Sequence, residues 1–179
     1  MLNMAGAAYK QKNGQCQDNR RYDMPNITVR EYHPDSGALL GNITTLKFGR
    51  VASGTHTRVK VIDVAFDGVS SVGGVKLGLV SNAGITVNAD PQGVDSEGSA
   101  NNGNFGIEDS TSFDSSKASA PLLRHFAGLN GTAGANDDSN VTVGTRATAV
   151  SNYVYLDIKV GSTLSGAGNG SYKIFFDYS

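Results

Sequence analysis

Apolar residues in this chain recur with a period of two, in short runs broken by Gly, Ser, Asn and Asp. The densest part is residues 46–80, LKFGRVASGTHTRVKVIDVAFDGVSSVGGVKLGLV, with runs at 46–51, 59–66 and 75–80. Successive side chains of a strand point to opposite faces, so these runs predict consecutive antiparallel strands with tight connections. Leu46 and Phe48 share a face, as do Val75, Leu77 and Leu79. In the middle run Val59 and Val61 share one face, with Arg58 and Lys60 opposite. Then Ile62, Val64 and Phe66 take over on the other parity, and Asp63 falls out of phase. That phase switch predicts either a bulge or a strand covered on both faces.

The same reading extends to the rest of the chain. Residues 27–32 form a strand with Ile27 and Val29 inward, followed by the turn His33-Pro34-Asp35-Ser36-Gly37, where Gly supplies a positive φ. Residues 38–43 lead into the central runs, and Asn82-Ala83-Gly84 turns the chain into a short strand at 85–88. Residues 141–143 alternate. Residues 153–160 are the cleanest strand, with Val154, Leu156, Ile158 and Val160 on one face and Tyr153, Tyr155, Asp157 and Lys159 on the other. Residues 172–178 close the series after a glycine-rich hairpin loop at 161–170, whose GAGNG lacks the spacing of a phosphate cradle. Residues 120–129 fit either a short helix or an irregular strand. Residues 89–119 read as a long insertion of small and acidic residues. Its Val94, Phe105, Ile107 and Phe113 predict that it folds back on the body.

The fold class expected is therefore all-β: an immunoglobulin-like or jelly-roll-like antiparallel β-sandwich over residues 26–179, carrying the long loop 89–119, with an extended N-terminal arm at residues 1–25. The arm is polar, with almost no apolar periodicity, and is expected to lie outside the core, either disordered or ordered against a neighbour. Its anchors would be Met1, Leu2, Met4, Tyr9, Arg20, Arg21 and Tyr22. Tyr153 and Tyr155 are expected to be exposed and to serve as further partner contacts.

Composition narrows the function classes. The chain has 179 residues, enough for a real core, and one cysteine, Cys16, so no intramolecular disulfide forms. Net charge is −1, which disfavours a general nucleic-acid binder. No secretion signal or membrane-spanning run is expected. Charge is uneven: residues 1–24 are net +2 and residues 89–118 net −5, a polarity that can steer one copy onto another. No H-E-x-x-H, C-x-x-C or P-loop occurs, there is no Trp, and none of the three histidines stands in a nucleophile-like context. No enzyme activity, cofactor or metal is expected.

The run Leu46-x-Phe48-Gly49-x-Val51-x-x-Gly54, continuing into 57–64, resembles the opening of immunoglobulin-like domains of the abnormal-spindle (ASH) type. It covers about 20 residues, and the Asn-x-Gly usual after the strand is here Asp67-Gly68. The resemblance implies a sandwich and no particular function. The polar arm with a Gly-, Ser-, Thr- and Asn-rich β domain also resembles bacteriophage virion proteins. That resemblance implies a structural component of the virion, a capsid decoration protein or a neck, tail or baseplate accessory. It would be made in the host cytoplasm and act as a homo-oligomer on capsid or tail subunits, with no nucleic acid or membrane partner. The alternative expectation is a carbohydrate- or cell-surface-binding module of a phage fibre.

Overall fold

The computed structural model describes residues 2–10, 25–52, 54–81, 104–119, 122, 141–159 and 169–178. In chain order the strands are β1 (Leu2–Lys10), β2 (Asn26–Tyr32), β3 (Leu39–Ile43), β4 (Thr45–Gly49), β5 (Lys60–Asp67), β6 (Val72–Ser81), β7 (Asn104–Ser110), β8 (Val141–Thr142), β9 (Thr145–Ala147), β10 (Val150–Ser151), β11 (Tyr153–Lys159) and β12 (Asn169–Tyr178). The only helical element among the described residues is a short 3-10 turn, Ser115–Ala118. The protein is all-β, and no helix among these residues is long and apolar enough to cross a membrane.

The strands form two sheets. The first has the order β4-β1-β12-β6-β8. In the second, β3-β2-β5 run side by side, and the far edge of β5 is shared by β10 and β11. β9 extends from β10, and β7 from β11. Every pairing is antiparallel except β1 with β12.

The inward faces of the two sheets make one core. Leu46, Phe48, Val72, Val75, Leu77, Ile174 and Phe176 come from the first sheet, and Val29, Ile62, Val64, Phe66, Ile107, Val154, Leu156 and Ile158 from the second. Phe66 and Phe176 meet across the gap with ring centroids 4.7 Å apart. The alternation read at 46–48, 62–66, 75–77 and 154–158 is thus the core stripe, as period-two burial requires.

Three expectations need correction. Residues 2–10 do not stand outside the body: β1 is an interior strand, paired with β12 over eight positions and with β4 on its other side. Leu2, Met4 and Tyr9 therefore belong to a sheet, not to a free arm. Met1, Arg20, Arg21 and Tyr22 lie outside the described residues, as do the 85–88 strand and all of the 120–129 segment except Leu122. The 89–119 stretch is not all loop, since β7 pairs with β11 along its length. Finally, Tyr155 is fully buried and Tyr153 half-buried, so neither offers the open contact face expected of it.

The tyrosines are covered because the second sheet is packed on both faces. On its outer face, Tyr32, Val59, Val61, Leu122 and Tyr155 form a second apolar cluster, with Phe113 and Tyr153 against it. The phase switch in β5 marks this two-sided burial, with Val61, Ile62, Asp63 and Val64 all buried. Phe113 folds back as its sequence context suggested, 6.0 Å from the Tyr153 ring. Its ring would sit 2.9 Å from a Cβ at Gly37, which has φ 69°. The turn at 33–37 thus needs glycine both for backbone conformation and for space.

Candidate functional site: an edge strand beside a basic groove

Two charged positions inside strands organise the outer face of the second sheet. Asp63 of β5 is completely buried. Arg30 Nε donates to its Oδ1 at 2.7 Å and Arg30 Nη2 to its Oδ2 at 2.6 Å, a bidentate pair. Arg146 Nη2 also donates to Oδ2, and the Arg146 guanidinium lies 4.3 Å from the Tyr153 ring centroid. This cluster fixes β2, β5 and β9 to one another, and its place inside the packed face makes it structural.

Tyr32 completes it, donating its hydroxyl to Asp63 Oδ2 at 2.9 Å. Burial first, then this bond and the charge of Asp63, push the phenol up from 10.0 to about 12. The unfolded chain loses this proton near 10 while the folded one keeps it until about 12. Stability is therefore expected to fall as pH rises across that window, by on the order of 2 kcal/mol from this group. Tyr32→Phe should flatten the fall, leaving the part due to other groups raised in the fold, Tyr155 chiefly by burial and Lys117 chiefly by its bond to Glu108. Urea midpoints measured across that window would test this; the same pH slope in wild type and variant would exclude it.

Asp157 of β11 is the second buried carboxylate, 1% exposed. His56 Nδ1 lies 2.7 Å from Asp157 Oδ2. The segment carrying His56 is docked on β11 by two bonds: Thr57 N donates to the Ile158 carbonyl at 2.8 Å, and Ile158 N donates to Thr57 Oγ1 at 3.0 Å. Nothing in the local pattern signals this pairing, because the partners are 101 positions apart.

His56 also lines a groove of about 540 Å³. Its walls come from the end of β2 and the following turn (Glu31, His33, Pro34), from Leu40, from the end of β4 (Lys47, Phe48, Gly49) and from the crossover and start of β5 at 50–52 and 55–60. Glu31 and Lys60 continue the inward phase of β2 and β5 past the last core residues, where they pair at 2.6 Å. Among the described residues the lining carries Lys47, Arg50, Arg58 and Lys60 against Glu31 as its only ionised acid, a net of +3. Lys47, Arg50 and Arg58 are exposed and have no ion-pair partner among the described residues.

Beside this groove runs β3, an edge strand bonded among the described residues to β2 alone. Leu39 and Leu40 on it are 56% and 58% exposed, the only large apolar side chains so exposed among the described residues. The register with β2 shifts between Glu31 and Tyr32, leaving Leu40 as the extra residue of a bulge; Gly41 follows with φ 141°. Bulges re-aim side chains at sheet edges. Here the bulged Leu40 lines the groove. The chemistry on offer is apolar contact, backbone pairing along an edge and attraction of negative charge.

No protein-family model and no curated protein matches this chain.

Proposed function

We propose that this protein is a structural subunit that works through protein–protein contacts, of the kind that decorates a phage capsid or completes its neck, tail or baseplate. Its body would be an immunoglobulin-like or jelly-roll-like sandwich and its working form a homo-oligomer. The observation that carries the reading is the β3 edge: a strand with one side unpaired among the described residues and two adjacent leucines more than half exposed. Monomeric proteins usually blunt such edges with charge, proline or a covering loop. A bare apolar edge fits a strand that another chain completes.

A carbohydrate-binding role finds less support. The tyrosine face is covered, and Phe48, the one Phe, Tyr or Trp among the described residues lining the groove, is 8% exposed.

Placing lysine at both leucines (Leu39→Lys/Leu40→Lys) should leave the fold intact, because neither side chain is in the core. Particles grown with this variant are expected to carry little of it, while its thermal unfolding matches wild type. Full incorporation would overturn the proposal.

A further inference from the structure

The geometry points to an acidic polypeptide segment of the partner as the occupant of the basic groove. This inference rests on the protein-contact reading above and names the chemistry of the contact.

Charge defines half of it. Four cations and one ionised acid line a single groove, and the acid is already paired with Lys60. Lys47, Arg50 and Arg58 remain, each exposed, so a carboxylate arriving there does not have to break an existing pair. Attraction of this kind sets the encounter rate and the choice of partner more than the final affinity.

The neighbourhood decides between classes of polyanion. Single-stranded nucleic acids and most sugars are held in large part by stacking on an open aromatic face. Among the described lining residues Phe48 is the only Phe, Tyr or Trp and is committed to the core, while the His56 imidazole is held by Asp157 and His33 accepts from Asp35 N within its own turn. What stands open instead is the side of β3 that has no strand partner among the described residues, whose backbone groups suit another polypeptide backbone, and the exposed Leu39 and Leu40, which suit apolar side chains. Leu40 belongs to both the strand and the groove lining. An extended segment lying along β3 therefore brings its next side chains over the cations. Carboxylates interspersed with apolar residues are the pattern that matches.

The test uses the full-length protein with fluorescent poly-L-glutamate as probe, read by anisotropy at low salt. Wild type is expected to bind, and Arg50→Glu/Arg58→Glu to bind about tenfold more weakly or worse. A reversal outside the groove, Lys76→Glu, should change binding by less than about twofold. Both arginines are exposed, so thermal unfolding should match wild type and serve as the folding control. Unchanged binding by the arginine variant would overturn the inference, as would tighter binding of a sulfated oligosaccharide than of poly-L-glutamate. The two proposals fail separately. Loss of the leucine variant from particles, with poly-L-glutamate binding unaffected by the arginine reversals, keeps the contact reading and removes this occupant. Full incorporation of the leucine variant with binding lost in the arginine variant keeps the groove and removes the assembly role.

Discussion

Replacing Asp63 with alanine is expected to destabilise the protein by about 3 kcal/mol. The carboxylate is 0% exposed and accepts bonds from Arg30, Arg146 and Tyr32. Removing it leaves two guanidinium groups facing each other in a packed layer with nothing to neutralise them. Breaking a buried pair from one side costs more than the pair itself contributes, because the remaining charge stays desolvated. The lower end of the usual range applies, since the Arg30 and Arg146 side chains are 25% and 21% exposed and water can reach part of each. For a domain of this size the change corresponds to a fall in Tm of roughly 6–12 °C. Denaturant titration should show a lower midpoint with an unchanged slope. In the Asp63→Ala background, Arg30→Met should cost less than it does alone, because it then removes an orphaned charge. A loss below about 1 kcal/mol would mean the cluster adds little to stability, and strict additivity of the two changes would mean that Arg30 and Asp63 are not coupled.

The second large effect is expected at Gly106 in β7. It stands opposite Asp157 in the β7–β11 pairing. A Cβ built there falls inside the contact radius of Asp157 Oδ1 and 2.9 Å from the Leu122 Cβ. Neither neighbour has room to yield: Asp157 is held by His56 and 1% exposed, and Leu122 is 2% exposed in the outer cluster. Gly106→Ala should therefore cost about 3 kcal/mol, the range for overpacking a filled site. It should also displace the His56 ring, which an imidazole NMR signal would report. Asp157→Ala should relieve roughly half of the penalty, since it removes one of the two clashing groups. A Gly106→Ala protein as stable as wild type would show that this close approach is not enforced.

Both sites mark where sequence reading stops. The core stripe was legible because burial of one face imposes a period of two, and Leu46, Phe48, Val154, Leu156 and Ile158 follow it. Alternation does not report what lies on the second face. Tyr153 and Tyr155 alternate with the core stripe and so read as outward, yet the segment bearing Phe113 and Leu122 covers them. Asp157 reads as an outward position and Asp63 only as out of phase, because their partners lie far along the chain, Arg146 at a separation of 83 from Asp63 and His56 at 101 from Asp157. β1 is hard to read from sequence because LNMAGAAYK is rich in Ala and Gly, which are weak strand formers. It is a strand by virtue of the neighbours on both of its sides. β7 was hidden in an acidic, glycine-rich context, where Phe105 and Ile107 were the only apolar alternation. Of the groove, sequence could supply the cations but not their convergence, since β2, β4 and the crossover to β5 meet only in three dimensions.

The parallel pairing of β1 with β12 also bears on how the molecule is made. Asn3 stands opposite Asn169, so partners in this ladder are separated by 166 positions. During synthesis β1 leaves the ribosome early, but its ladder cannot close until β12 has followed. Until then β1 can have β4 on one side only, and its other edge stays without a partner. Contacts of such long sequence separation form slowly and leave unpaired edges in the meantime. Completion of the first sheet is thus a late step of folding, and chaperone demand should be greatest just before β12 emerges.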